Sequence, residues 1–160
     1  MAHPLVERLT SADAAARRDA CRAAADDPSA VLLVEALAER LADADREVAR
    51  AASDALVFIA RHDDAVAPLM RSHLRSADPR ARWGAAFTSA RLGPPEPRLL
   101  PVLVENLDAD DGTIRWAASR TLVDAGRLHD EVLPMLLGLV RSGESPGTRR
   151  MAAHCLRELA

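Results

Sequence analysis

The chain has 160 residues, 49% hydrophobic and 28% charged, with a formal net charge of −3, no Tyr, two Trp and two Phe. This composition supports one soluble domain with a substantial core, excludes a disordered chain, and weighs against a protein devoted to nucleic acid. No apolar run is long enough to span a membrane and the amino terminus lacks signal-peptide form, so a cytoplasmic protein without membrane attachment is expected.

Read from the amino terminus, the same short pattern returns five times. Pro4 to Leu9 predicts a short first helix, and Asp13 caps a second helix that carries Ala16, Ala20 and Ala24 on one face. In the second unit, Asp27-Pro28 reads as a cap and first turn, with Leu37 and Leu41 continuing an apolar stripe. Asp45 then caps a helix bearing Val48, Ala52, Leu56 and Ile59. The third unit places Met70 and Leu74 before Asp78-Pro79, followed by Ala81, Ala85, Ser89 and Leu92. The fourth places Leu103 and Leu107 before Asp111, followed by Ile114, Ala118, Leu122 and Ala125. In the fifth, Val140 stands five residues before the cap Ser145, which implies one extra residue in the turn. Pro146, Thr148, Ala152, Leu156 and Leu159 complete it. Pro68, Pro101 and Pro134 recur one period apart and should bend the later first helices or mark their opening turns.

Ala16, Val48, Ala81, Ile114 and Thr148 therefore form position zero of one repeated frame, at spacings of 32, 33, 33 and 34 residues. Such a period specifies stacked helix pairs. The expected fold is all-α: a single domain over 1-160, an α-solenoid of about five helix pairs in a right-handed superhelical stack. The repeats fall at approximately 1-27, 28-62, 63-93, 94-128 and 129-160. Repeat stacks need polar end faces. With Leu156 and Leu159 close to the last residue, end-to-end self-association is expected.

The run Leu41-Ala-Asp43-Ala-Asp45-Arg-Glu-Val48, followed by Ala52, Ala55 and Leu56, resembles the HEAT-like repeats, in particular the short bacterial type also found in phycobilin lyases. The resemblance covers nearly the whole chain and speaks to fold. It implies that the second helices line the concave side. It also implies a ladder in which a turn acid of one layer pairs with a helix-two arginine of another. Asp43 matches the acid, and Arg17, Arg82, Arg115 and Arg149 match the arginine. Ser11, Ser76, Ala109 and Gly143 replace the acid, Ala49 replaces one arginine, and Asp108 and Asp110 flank Ala109 one residue out of register. The ladder should be largely incomplete and these arginines structural.

Helical phase gives the residues that point away from the core. Position +2 reads Arg18, Arg50, Trp83, Trp116 and Arg150; position +6 reads Arg22, Asp54, Phe87, Arg120 and His154; position +9 reads Ala25, Val57, Ala90, Val123 and Arg157. Three of the four aromatic residues, six arginines and one Asp share these columns. Trp, Phe and Arg are the residue types enriched at binding surfaces. Trp83 and Trp116 are the expected central contacts, at the same site of adjacent layers, with Phe87, Arg50, Arg120 and Arg150 around them and Arg18, Arg22, Asp54 and His154 beside them.

The function expected from this surface is a non-enzymatic protein-interaction scaffold that holds a partner protein or peptide with acidic and apolar groups. Two alternatives come from the resemblance. One is a nucleic-acid-binding protein related to the HEAT-like DNA alkylbase glycosylases. It would need a carboxylate beside Trp83 or Trp116, where Phe87 and Arg120 stand; Asp54 and Asp124 could serve only in another geometry. The other is an accessory protein of the chromophore-lyase kind. No catalytic residue, metal or cofactor is expected. His3, His62, His73, His129 and His154 form no metal motif, the glycines form no phosphate loop, and His62-Asp63 and His129-Asp130 read as turn caps. Cys21 and Cys155 read as free, packed thiols of a reducing compartment.

Overall fold

The computed structural model describes residues 3–27 and 29–160. Its regular structure among them is helical throughout, with no strand. It divides into two compact units, residues 1–92 and 93–160. Unit 1 contains α1 (Pro4–Leu9), α2 (Ala14–Ala25), α3 (Val34–Arg40), α4 (Arg46–Ile59), α5 (Val66–His73) and α6 (Pro79–Leu92), with a 3-10 turn at Ala30–Leu33 leading into α3. Unit 2 contains α7 (Leu100–Glu105), between 3-10 turns at Pro97–Leu99 and Asn106–Asp108, then α8 (Gly112–Gly126), α9 (Val132–Ser142) and α10 (Pro146–Leu159). These are helix-pair repeats of the α-solenoid class.

Each second helix begins at the residue after its expected cap. Asp13 accepts from the Ala15 and Ala16 amides, Asp45 from Glu47 and Val48, Asp78 from Arg80, Asp111 from Thr113, and Ser145 from Thr148, at 2.7–3.2 Å. These bonds satisfy first-turn donors that have no partner inside the helix. Pro68, Pro101 and Pro134 all lie in the opening turns of α5, α7 and α9, where no helical hydrogen bond is lost. Pro28 lies outside the described residues; beside it, the Asp27 carboxylate accepts from the Ser29 amide at 2.8 Å.

Packing centres on the alanines at +4. Ala20, Ala52, Ala85, Ala118 and Ala152 are all fully buried. A methyl group is small enough for helices to approach closely on that face, and α2 packs on α4, α4 on α6, and α8 on α10. The buried arc is wider than one stripe. At +5, Cys21, Ser53, Ala86 and Ser119 are buried, while Ala16, Ile114 and Thr148 at position zero are half-buried. In the third repeat Thr88 is buried and Ser89 half-buried. The reason is that α4, for example, touches α2 and α6 as well as α3, so its buried face turns toward its flanking second helices. Buried Leu136 stands nine residues before Ser145, one more than separates Leu37, Met70 and Leu103 from their caps, consistent with an extra residue in the last turn.

Gly84 sets the closest approach in unit 1. A Cβ there would lie 2.6 Å from the Leu41 Cβ and 2.9 Å from the Leu41 carbonyl oxygen, so α6 reaches the end of α3 only because that atom is missing.

The turn between the two helices of a repeat is held by the arginine at +1. Arg17 Nη1 donates to the Ser11 and Ala12 carbonyls (2.8 and 3.0 Å), Arg82 Nη1 to those of Ser76 and Ala77 (2.8 and 3.1 Å), Arg115 Nη1 to Ala109 and Asp110, and Arg149 Nη1 to Gly143 (2.7 Å). These arginines are structural, as their repeat position suggests. The inter-layer rung from Arg17 is present as well: its Nε and Nη2 meet the two Asp43 oxygens at 2.7 and 2.9 Å. Asp43 also accepts from the Asp45 amide at 2.9 Å. Ser11 and Ser76 keep that last bond, accepting from the Asp13 and Asp78 amides at 3.2 and 3.1 Å. Serine therefore replaces the acid as a turn former but not as an anion.

The Asp43 side chain is 4% exposed. Burial pushes its carboxyl up, but the Arg17 hydrogen bonds, the Asp45 amide and the charges of Arg17 and Arg40 outweigh that, and the net position is below the ordinary 3.8. A carboxyl more acidic folded than unfolded stabilises the protein above its unfolded pKa. That stabilisation is lost as pH falls through the folded value. Asp43→Asn should lower the melting temperature at pH 7 more than Asp45→Ala, whose lost cap costs about 1 kcal/mol, and should flatten the stability profile below about pH 4. Thermal melts across pH 2–7 check both, and an unchanged acid limb would contradict the assignment. Gly84→Ala should cost about 1–3 kcal/mol by overpacking. Gly138→Ala, whose Cβ position on α9 is open, should stabilise by about 0.5–1 kcal/mol.

Candidate functional site

The outward columns form one patch in each unit, and the two differ in how their charges are used. In unit 1, Trp83 and Phe87 lie one turn apart on α6 and both are half-buried. Their ring centres are 5.9 Å apart at a 35° tilt. From α4, Arg50 places its guanidinium 5.8 Å from the Phe87 ring centre; from α6, Arg91 places its own at 5.5 Å. Asp54 joins the two cations, 2.7 Å from Arg91 Nη2 and 3.6 Å from Arg50 Nε. Arg91 Nη1 also donates to the Ser53 hydroxyl at 2.9 Å, as does the buried Thr88 hydroxyl at the same distance. The patch is a closed circuit: an aromatic ring with two guanidiniums within about 6 Å of its centre, and one carboxylate that pairs with both.

Unit 2 is different. Trp116 on α8 is 56% exposed. Its ring meets His154 of α10 edge-on, with centres 4.9 Å apart at 85°. The His154 Nδ1 lies 3.2 Å from Arg157 Nη2. Arg120, one turn after Trp116, and Arg150, one turn before His154, are exposed. Among the described residues neither is paired with a carboxylate. Here an exposed indole meets a histidine, and the outward arginines of the same two helices have no carboxylate partner among the described residues.

The remaining expected residues lie on α2. Arg18 and Arg22 are each 3.7 Å from the Asp19 carboxylate. The Arg18 Nε is buried without a hydrogen-bond partner, so this side chain is only partly presented to solvent.

The groups with chemical potential elsewhere are occupied structurally. Cys21 and Cys155 are fully buried free thiols. Burial, the largest influence on each, pushes Cys21 up to about 11 and raises Cys155, so neither supplies a thiolate at neutral pH. The Cys155 thiol lies 3.3 Å from the Ser119 hydroxyl, the same +5 to +7 pairing that Ser53 and Thr88 make between α4 and α6. The His129 ring sits 2.8 Å from the Pro95 carbonyl, and Asp63 accepts from the Ala65 amide at 2.8 Å; both serve their turns. Among the described residues no group of His, Cys, Asp and Glu has the arrangement of a metal site, and no helix is long and apolar enough to cross a membrane.

A sequence model described as HEAT repeats matches residues 34–123, more than half of the chain. The chain belongs to the HEAT repeat family. Comparison with curated proteins found no match. Among solved structures, an engineered protein from a structural-genomics programme is 24% identical with a TM-score of 0.51, over 97% of this chain and 77% of that one. A designed armadillo repeat protein is 20% identical with a TM-score of 0.43, over 98% and 81%. The first likeness concerns the fold alone.

Two HEAT-repeat surface residues escaped the column analysis. Arg91, at +10, sits one turn after Phe87 and beside the same ring; an i, i+4 search from each aromatic residue would have found it. Phe58, the fourth aromatic residue, also stands at +10 and is 40% exposed.

The unit 1 circuit has a measurable signature. Ser53→Ala leaves the buried Thr88 hydroxyl without its acceptor, a change expected to cost about 1–3 kcal/mol. Adding Thr88→Val should recover part of that loss, because the orphaned group is removed. A double-mutant cycle from denaturant unfolding checks this; strict additivity would show that the hydroxyl pair is not coupled.

Proposed function

We propose that this HEAT repeat protein is a non-enzymatic interaction scaffold that holds an acidic, partly apolar segment of another protein against its outward-facing second-helix residues. The observation that carries the reading is Trp116: a large apolar side chain, 56% exposed, held edge-on by His154 and flanked by Arg120 and Arg150. An exposed aromatic anchor on helices whose outward arginines lack carboxylate partners fits a partner with an apolar residue beside carboxylates. Trp83 and Phe87 supply a second, pre-ordered aromatic surface at the corresponding repeat position. Arg18, Arg22, Arg50 and Asp54 stay at its margin, since each already has an internal partner. The buried free thiols suit a cytoplasmic setting.

The unit 1 circuit argues against the glycosylase-like alternative. A carboxylate and aromatic rings do come together at Asp54 and Phe87, the combination that would receive a cationic base. Arg50 and Arg91 already occupy both the ring and the carboxylate.

Trp116→Ala combined with Arg150→Ala should abolish capture of the partner while moving the melting temperature by no more than about 2–4 °C, the equivalent of 1 kcal/mol. Trp83→Ala should destabilise more, because that indole is half-buried against Phe87. Affinity capture with and without nuclease, read beside thermal melts, tests the proposal. Partner recovery that persists in the double variant, or that disappears on nuclease treatment, would overturn it.

A further inference from the structure

A second site of opposite sign lies in unit 1, at the far ends of two second helices. A cavity of about 490 Å³ opens between the carboxyl-terminal ends of α2 and α4, lined by Ala25 and Asp26, by Asp27, Ala30 and Val31, and by Phe58, Ile59, His62 and Asp63. Its volume is in the range that holds a small ligand or a single large side chain. Its walls are apolar, with Phe58 40% and Val31 44% exposed, and Leu32, next to Val31, 71% exposed. Its polar edge is acidic.

Four features make this cavity attractive to an organic cation. Asp26 and Asp63 bring carboxylates to it. Asp27 brings a third, although Ser29 and His3 already engage it, at 2.6 and 3.3 Å. α2 and α4 both end here, and the carboxyl-terminal end of a helix carries partial negative charge. Phe58 offers a ring whose face attracts cations; Arg61, which is not among the lining residues, already holds its guanidinium 5.7 Å from that ring's centre. The ionisable groups of opposite tendency close by are Arg61, His3 and His62, and His62 meets the Phe58 ring edge-on at 6.1 Å. Asp63 spends one oxygen on the Ala65 amide, and Asp26 has no cation paired with it among the described residues.

We infer that this cavity receives the side chain of an arginine presented by a partner polypeptide, the guanidinium stacking on Phe58 beside Asp26 and Asp63 and the carbon stem lying along Val31 and Ile59. A planar guanidinium suits both ring stacking and carboxylate pairing better than an ammonium does. The apolar rim continues past the cavity onto Leu32, so covering it takes neighbouring residues of a chain as well as one cation. This site is independent of the Trp116 patch, and its test does not touch that patch.

The probes are N-acetyl-arginine amide, the uncharged N-acetyl-citrulline amide, and the tripeptide acetyl-Leu-Arg-Leu amide, titrated into the whole protein and followed by backbone amide NMR. The arginine probe should produce saturable shifts at Val31, Phe58 and His62, and the citrulline probe should not. Phe58→Leu and Asp26→Asn should each weaken binding by about threefold or more, while amides far from the cavity keep their positions and so report an intact fold. The tripeptide should bind more tightly than the single amino-acid amide. Absence of saturable shifts, equal response to citrulline, or affinity unchanged in both variants would overturn the site. A tripeptide no tighter than the amide would overturn the polypeptide source.

Discussion

In four of the five repeats the second helix, and with it the outward residues, is anchored by a guanidinium that reaches back to the preceding turn. Arg17, Arg82, Arg115 and Arg149 stand at the start of their second helices and bond carbonyls five and six residues earlier. The turn between paired helices has carbonyls that neither helix can satisfy. A planar donor with several N–H groups can hold two of them at once. That contact fixes where the second helix leaves the turn. The caps fix its first residue and the +4 alanines its distance from the next helix. Surface positions +2 and +6 then follow from helical phase.

Much of this was legible in the sequence because the rules involved are local. Cap identity, the proline positions and the alanines at +4 all obey offsets of a few residues, and all five caps formed where expected. The extra residue in the last turn was readable for the same reason, from the displacement of Val140 against Ser145. What could not be read was pairing across helices. The columns named Arg50, Asp54 and Phe87 as outward residues, but phase alone does not say that Asp54 is taken up by Arg91, or that the Arg18 Nε is buried. Phase also misjudged position zero, half-buried at Ala16, Ile114 and Thr148, because the buried arc depends on how many helices flank a given one. The cavity at the ends of α2 and α4 was invisible for a related reason. It lies where two successive inter-repeat turns meet, equivalent positions 32 residues apart, and offsets along the chain do not say that such turns enclose a space; Phe58 was the one aromatic residue outside the columns.

The repeats share a scaffold and differ in who neutralises whom. On α4 and α6 one carboxylate serves two guanidiniums, and both guanidiniums also meet one ring. The arrangement is internally paired and keeps one positive charge in excess. On α8 and α10 the corresponding positions carry cations and an indole with no carboxylate among them. At the ends of α2 and α4 carboxylates gather with few cations. A chain with a net charge of −3 thus divides into local regions of either sign, which is where its capacity to discriminate among partners resides.

The one acidic residue in the ladder position has a consequence for how such a chain can change. Repeat two has Ala49 where the other repeats have the turn-holding arginine, and its turn carries Asp43. That carboxylate is buried against Arg17 from repeat one, with Arg40 at 3.7 Å. Four repeats hold their own turns; the second is held partly by its neighbour. Removing or exchanging the first repeat would therefore leave a buried anion without its main counter-charge. By gene duplication or by engineering, exchanging either of the first two repeats changes the partner of a charged group in the other.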